Sequence, residues 1–276
     1  MHATYSGFAD EVYAVHVAPD KAAERPFLPD PVTLTDCLLL ADRGYPSVAY
    51  FEAVRAHGGF FIVRLTRSYD PWVCAAWVEG ARMAVSTRIR LSRFLVRHAG
   101  RRVDLDVEFV DGPRAVGFRG VVLPGREPAM TRLCTNLSRT PVSIDVVARL
   151  YRCRWQIERC FKEWKSYANL HQFDTAHPHI AVGLIWASLC AAVLKRFLAH
   201  AAQRVGNGAA MSTRRVAMCA RHILTDLVTA LRIGVGLLGA LRRGLTYLLA
   251  NARRAHPDRD RRTGRLRAGL TLAEPA

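Results

Sequence analysis

The sequence has few acidic side chains for its size, and it lacks paired cysteines and an export signal. Asp and Glu number 23 against 40 Lys and Arg, which gives a net charge of +17. The seven cysteines are scattered without a C-x-x-C pair, which is typical of reduced residues used in packing. The N-terminus M-H-A-T-Y has neither a basic start nor an apolar signal core. These absences predict a cytoplasmic location.

A full-length membrane span is also lacking. The uncharged run Ile180–Leu194 has 15 residues, whereas a spanning helix needs about 20 apolar residues. Lys195 and Arg196 end the run. We therefore predict a buried helix here and no membrane partner. A membrane-surface protein built on the helical residues 180–250 is the alternative.

What the sequence does contain is enough apolar material for a core and an excess of positive charge. Half of its 276 residues are apolar, so the chain can form one large domain or two small ones. A charge of +17 favours a polyanionic partner, either nucleic acid or an anionic membrane surface. The alternative is a genome that uses arginine freely.

The most informative stretch is residues 143–166, which are predicted to form one helix with Ser143 as its N-cap. At about 100° per residue, four polar residues fall within an arc of about 60°. They are Tyr151, Arg154, Glu158 and Lys165. An adjacent arc holds the apolar residues Val146, Leu150, Ile157, Phe161 and Trp164. Without further information, such a polar stripe is more often a solvated face than a site.

The spacing Y-x2-R-x3-E-x6-K resembles the signature of bacterial insertion-sequence transposases of the DDE type, which have an RNase-H-like catalytic domain. All four positions match. The resemblance implies that Glu158 is a catalytic metal ligand. It also implies that Tyr151, Arg154 and Lys165 bind phosphates next to the reacting bond.

The N-terminal part predicts further pieces of such a domain. His2–Ser6 and Val12–Val17 suit an antiparallel hairpin. A strand ending at Asp42, a helix at 47–57 and a strand at 60–65 form an α/β unit. Asp42 then lies at the carboxyl end of a buried strand, where α/β sheets bind ligands.

The turn A-D-R-G-Y-P-S resembles the one that carries the second catalytic carboxylate of these transposases. The resemblance implies that Asp42 is the second metal ligand, and we expect Arg43 beside it to contact DNA. Taken alone, an Asp before this glycine turn is more simply a turn former.

Asp42 and Glu158 are 158 − 42 = 116 residues apart, which leaves room for an insertion. Residues 67–131 are predicted to be β-rich, with strand-like stretches at 72–78, 82–96, 103–110 and 114–123. Trp72 and Trp77 lie among arginines and could stack on an unpaired base. Hydrophobic packing is the alternative for both tryptophans.

The predicted fold class is therefore α/β, with an RNase-H-like mixed sheet that lacks its first strand, a β-rich insertion and an α-helical C-terminal region. The predicted segments are residues 1–66 (first part of the core), 67–131 (insertion), 132–170 (core strand and signature helix), 171–250 (helices) and 251–276 (basic tail).

By resemblance, the expected function is DNA transposition, in which Mg²⁺ or Mn²⁺ bound by Asp42 and Glu158 supports phosphodiester hydrolysis and strand transfer. The expected partners are double-stranded DNA, as transposon ends and target, and a second copy of the chain in the DNA complex.

The first carboxylate of the family has no counterpart in this sequence. Asp10, Asp20, Asp30 and Asp36 lie in predicted turns or Pro-rich connections, and none ends an apolar strand. The expectation is an N-terminally truncated transposase that does not cut DNA by itself. The alternative is a non-catalytic DNA-binding protein or inhibitor derived from a transposase.

Overall fold

The structure of this chain is a computed structural model that describes residues 1–7, 11–18, 23–45, 47–85, 88–125, 130–168, 170 and 173–255. The chain divides into two units, residues 1–155 and 156–276. Most of the predicted basic tail lies outside the described residues, as do Asp10 and Asp20.

The first unit begins with the predicted hairpin. Strands β1 (His2–Ser6) and β2 (Glu11–His16) pair antiparallel, with His2 opposite His16. They form a separate two-stranded sheet. Phe27 stacks on His2 with 4.1 Å between ring centroids, so the segment after the hairpin packs back onto it.

The α/β unit is confirmed. Strand β3 (Leu38–Ala41), helix α1 (Val48–Ala56) and strand β4 (Phe60–Arg64) follow in order, and β3 pairs parallel with β4. The Ser47 hydroxyl accepts a hydrogen bond from the Tyr50 amide and caps α1. Asp30 and Asp36 do not end strands, because Asp30 caps a 3₁₀ turn and Asp36 lies in a turn at φ 56°.

A single eight-stranded mixed sheet organises the unit. Its remaining strands are β5 (Trp72–Val78), β6 (Ala81–Met83), β7 (Ile89–Arg90), β8 (Val103–Asp111), β9 (Arg114–Pro124) and β10 (Met130–Thr135). The order is β3-β4-β10-β9-β8-β5-β6, with β7 also paired to β5. The predicted hairpin of β8 and β9 is confirmed. The mixed α/β class is as predicted and consistent with an RNase-H-like transposase domain.

One part of the β-rich prediction is wrong. Residues 82–96 do not form only strands, because helix α2 (Leu91–Arg97) follows the two-residue strand β7. The N-cap residue Arg90 makes no side-chain cap. Instead, the Asp70 carboxylate accepts from the Ser92 amide at 2.6 Å and from its hydroxyl at 2.7 Å. The start signal of α2 therefore comes from a residue 22 positions away, which local sequence patterns do not reveal.

Strand alternation gives the sheet two different faces. On one face, α1 and α2 bury Phe51, Val54 and Phe94 against Phe61 and other strand residues. On the opposite face, helix α3 (Ile144–Arg152) packs Val147 against residues of the strands β4, β9 and β10. These strand residues are Ile62, Val121 and Leu133. Fully burying each such Val, Leu or Ile contributes about 1.5–3 kcal/mol.

The single helix predicted for residues 143–166 is wrong in one respect. Ser143 caps its start by accepting from the Val146 amide, as predicted, but the helix ends at Arg152. A second helix, α4, spans Trp155–Tyr167. Between them, the amides of Cys153 and Arg154 donate to the carbonyls three residues earlier, which tightens the chain and interrupts the α-helical pattern. No glycine or proline marks this break.

The second unit contains the predicted C-terminal helices. They are α5 (Pro178–Val205), α6 (Thr213–Ile233) and α7 (Leu237–Asn251), and α6 ends at Gly234 in the left-handed region, at φ 74°. Leu198 and Ala202 of α5 form a core with residues of α6 and α7.

The prediction that Ile180–Leu194 is buried is wrong. The residues of α5 in the shared core all come from its C-terminal half, whereas Ile180, Leu184 and Trp186 in its first half are exposed. By length and composition alone, α5 is the one helix among the described residues that could cross a membrane.

Candidate functional site

Asp42 lies where strand β3 ends and the chain turns. Ala41 before it is buried, and the Tyr45 amide donates to the Asp42 carbonyl at 3.2 Å to close the turn. Arg43 and Gly44 occupy the exposed middle of this turn. The Asp42 side chain is 39% exposed, so its carboxylate is accessible to a ligand.

Two residues of the signature meet Asp42. The Tyr151 hydroxyl, at the end of α3, donates to Asp42 Oδ1 at 3.3 Å. Arg154 Nη1 lies 3.8 Å from Asp42 Oδ2, and the Arg154 side chain is 12% exposed. We call Asp42, Tyr151 and Arg154 the open cluster. The fold thus joins two motifs that are 109 residues apart in the sequence.

The charges of the open cluster shift the pKa of Tyr151. Burial of the ring raises the pKa of Tyr151 to about 12, and the negative charge of Asp42 adds to this effect. Arg154 and Arg64 act in the opposite direction. The tyrosine is therefore neutral at ordinary pH and available as a hydrogen-bond donor to the carboxylate.

Glu158 and Lys165 belong to α4. Glu158 is half-buried in the first turn, where a carboxylate interacts favourably with the helix dipole. Lys165 is exposed in the last turn, where a cation is favoured. Both residues lie in the second unit, whereas Asp42, Tyr151 and Arg154 meet in the first.

Arginines cover both tryptophans of the predicted DNA-binding set. The Arg90 guanidinium lies 4.0 Å from the ring centroid of Trp72, and that of Arg139 lies 3.6 Å from the centroid of Trp77. The two rings are half-buried. Such cation–π contacts contribute about 0.5–1 kcal/mol at exposed sites. Stacking of these tryptophans on a nucleic-acid base stays a prediction.

Comparison with known proteins identifies the family. The family model described as "Transposase DDE domain" matches residues 1–194. The chain belongs to the DDE transposase family. A stretch of 62 residues of this chain is 42% identical to the transposase for insertion sequence element IS421 of Escherichia coli. The same identity and length hold for the proteins named as transposase InsL of the elements IS186A and IS186B of E. coli K12. The matched stretch spans 22% of this chain and 17% of each relative.

DDE transposases generally use a divalent metal ion, so the donor set of the open cluster matters. The Asp42 side chain is 39% exposed, and its contacts of 3.3 and 3.8 Å are long, so a cation can replace them. Asp42 therefore suits one ligand position. No group of three or more His, Cys, Asp or Glu side chains able to hold a metal occurs in the described part of this chain. Asp42 alone is one ligand, not a complete metal site.

The DDE domain contains a second group of charged residues that was not predicted from the sequence. Asp104 on β8 and Arg119 on β9 form an ion pair, with side chains 5% and 6% exposed, and Arg139 joins them. We call these three residues the closed cluster. The pattern V-D-L-D-V-E-F-V carried a signal, because it places Asp104, Asp106 and Glu108 on one face of a strand.

Proposed function

We propose that this DDE-family protein acts on DNA, by metal-dependent phosphodiester hydrolysis and strand transfer at the ends of an insertion sequence. The observation that carries the proposal is the open cluster, in which the carboxylate after β3 meets two residues of the Y-x2-R-x3-E-x6-K signature. The net charge of +17 supports a DNA partner.

Asp42 and Glu158 are the proposed ligands of a divalent ion, either Mg²⁺ or Mn²⁺. Hard oxygen donors suit both ions. When bound, such an ion stabilises the attacking and leaving oxygens of a phosphodiester. Asp42 is 39% exposed at a strand end, and Glu158 occupies the glutamate position of the signature in the first turn of α4, which supports the assignment of both as ligands.

Arg43, Arg154 and Lys165 are the proposed phosphate contacts, together with the hydroxyl of Tyr151. Arginine offers a planar fork of donors and lysine a compact charge. Arg154 would exchange its 3.8 Å contact with Asp42 for a phosphate when DNA binds. Trp72 and Trp77, each with an arginine over its face, are proposed to contact an unpaired base at the DNA end.

The direct test is cleavage, by an active form of the protein, of a plasmid that carries both flanks of the gene, in the presence of Mg²⁺ or Mn²⁺. Asp42→Asn and Glu158→Gln remove a ligand charge while keeping the shape, so both should abolish cleavage and leave DNA binding in place. Asp145→Asn is the matched control, because Asp145 is 67% exposed on α3 and touches Arg102 rather than the open cluster. Unaltered cleavage by Asp42→Asn would disprove the assignment.

A non-catalytic DNA-binding protein is the second candidate. The charge of +17 and the exposed basic residues support binding regardless of catalysis. In that case the unaltered chain binds DNA but does not cut it with either metal. A further expectation of this candidate is that adding the chain inhibits a complete transposase of the same element.

Phosphate contacts can be counted through salt dependence. Each phosphate that a cation neutralises contributes about 0.9 to the slope of log K against log salt. Arg154→Ala and Lys165→Ala should each lower that slope by about one. Arg55→Ala is the control, because Arg55 lies on α1, on the opposite face of the sheet from α3. Light scattering of the DNA complex tests the proposed homodimer.

A cytoplasmic location is also proposed, because the proposed partner is DNA.

A further inference from the structure

Arg119 in the closed cluster binds an acid and a stretch of backbone at the same time. Its Nε and Nη2 donate to the two oxygens of Asp104 at 2.9 and 2.6 Å, which is a bidentate pair. Its Nη1 is directed at the carbonyls of Leu137, Ser138 and Val142, at 3.4, 3.2 and 2.7 Å. The guanidinium therefore links the sheet to residues 137–142.

The same backbone stretch carries a second link. Arg139 Nη2 reaches Asp104 at 3.1 Å and Asp106 at 2.8 Å. Its guanidinium also lies 3.6 Å from the ring centroid of Trp77. Residues 137–142 are thus attached to the three strands β5, β8 and β9, without a regular element of their own.

These residues lead directly into the helix of the open cluster. Val142 precedes Ser143, the N-cap of α3, and Tyr151 lies in the last turn of that helix. Val147 in its middle is fully buried against Ile62, Val121 and Leu133, which fixes the face that α3 turns to the sheet. The closed cluster therefore fixes where α3 starts, and the helix carries that position to Tyr151.

We infer that Arg119, paired with Asp104 and assisted by Arg139, is a positioning residue for the open cluster. It holds residues 137–142 on the sheet and so sets where α3 brings Tyr151 and Arg154 to Asp42. The role of these contacts in DNA chemistry rests on the proposed function, whereas the positioning itself concerns only the geometry of this unit.

An arginine is required for this role because of its number of donors. A guanidinium has five N–H groups in a fixed plane, so it can bind both oxygens of Asp104 and still donate to carbonyls. Lysine keeps the charge but has one nitrogen, which cannot do both. Arg119→Lys therefore separates the loss of the backbone contacts from the loss of the buried charge.

The test is hydrogen exchange of the full chain, followed by mass spectrometry of peptides. In Arg119→Lys, amides in residues 144–152 should exchange at least about tenfold faster, as expected when hydrogen bonds holding the helix start are lost. Amides of β4, at 60–64, should keep their protection. Unchanged exchange at 144–152 in a folded Arg119→Lys protein overturns the inference.

Arg55→Lys is the matched control. Arg55 Nη1 also donates to a backbone carbonyl, that of Gly117 at 2.8 Å, and its guanidinium lies over the Phe118 ring. Arg55 links α1, rather than α3, to the sheet. Its loss should therefore leave the hydrogen exchange of residues 144–152 unchanged. Should Arg119→Lys fail to fold, Arg139→Ala makes the same test through the second link. Its side chain is 31% exposed, and unchanged exchange at 144–152 again overturns the inference.

A DNA-binding readout separates this inference from the proposed function. If both hold, Arg119→Lys weakens binding, and adding it to the double variant Tyr151→Phe, Arg154→Ala weakens binding no further, because Arg119 acts through these two residues. If α3 loosens while DNA binding stays intact, the positioning role stands and the assignment of the open cluster to DNA fails. Additive losses would show that Arg119 acts on DNA by another route.

Discussion

The open and closed clusters use the same chemistry, a carboxylate facing arginine, under opposite conditions. Asp42 is 39% exposed, with contacts of 3.3 and 3.8 Å to Tyr151 and Arg154. Asp104 is 5% exposed, with contacts of 2.6 and 2.9 Å to Arg119. The closed pair has short bidentate bonds and little solvent, so its partners cannot exchange. Asp42 can exchange its partners for a cation or a phosphate, and this distinguishes a candidate site from a structural support.

The largest expected effect is on stability. Asp104→Ala leaves the Arg119 charge buried without its partner, which costs about 3–5 kcal/mol in comparable cases. A urea titration followed by circular dichroism measures the change. The matched variant Asp42→Asn should change stability by about 0.5 kcal/mol or less, as is usual for surface substitutions. Equal losses in the two variants would contradict the difference expected between the exposed and the buried carboxylate.

The second effect is on DNA cleavage, where the variant of the open cluster should lose more than the variant of the closed cluster. Asp42→Asn should abolish cleavage of DNA ends in an active form of the protein, whereas a folded Arg139→Lys should retain part of it. The reason is that Asp42 is proposed to contact the metal, while Arg139 acts only through residues 137–142. Rates of strand cleavage with Mg²⁺ provide the measurement. Loss of cleavage in both variants would mean that the closed cluster is part of the reacting site.

A third and smaller effect appears at alkaline pH. The pKa of Tyr151 is raised from 10 to about 12, so between these values the folded chain keeps a proton that the unfolded chain has lost. The unfolding free energy should therefore fall from pH 10 to pH 12 and then level off. Tyr151→Phe should reduce this fall.

A further measurement dissects the alkaline effect. Asp42→Asn should lower the pKa of Tyr151 only in part, because burial is the larger cause and Asp42 the second. The control is the pKa of Tyr50, which burial also raises to about 12 without a contribution from Asp42 and which Asp42→Asn should therefore leave unchanged. A full return of the Tyr151 pKa to 10 in Asp42→Asn would show that the ring is not shielded from solvent.

The smallest effect is expected at an exposed pair near the same helix. Arg102 contacts Asp145 in the first turn of α3, with side chains 36% and 67% exposed. Exposed ion pairs contribute about 0–1 kcal/mol, and salt screens them. Asp145→Asn should therefore change the urea midpoint little, and even less at high salt. A loss as large as that of Asp104→Ala would contradict the view that burial makes the difference.

Much of the open cluster could be predicted from local patterns. The apolar strand before A-D-R-G-Y placed Asp42 at a strand end, and Ser143 marked the start of α3. The break after Arg152 could not be predicted, because the sequence there contains no glycine or proline. The contact of Tyr151 with Asp42 joins residues 109 positions apart, which helical periodicity does not reveal.

The closed cluster and α2 depend on contacts that local patterns miss. Alternating acids on β8 are typical of a solvated strand face, yet the approach of Arg119 and Arg139 buries Asp104. Helix α2 gets its cap from Asp70, far away in the sequence. The apolar run of α5 predicted a buried helix, but only its second half lies against α6 and α7.

Mapping where a divalent ion binds tests the assignment of Asp42 as a metal ligand most directly. Fe²⁺ with ascorbate produces hydroxyl radicals that cut the backbone next to the bound ion, and mass spectrometry locates the cuts. We expect cuts around residues 42 and 158 and none around Asp104. Added Mg²⁺ should suppress these cuts by competing with Fe²⁺ for the site, and Asp42→Asn should abolish them. Cuts that persist in Asp42→Asn, or that centre on Asp104 and Asp106, would contradict the assignment of Asp42 as a metal ligand.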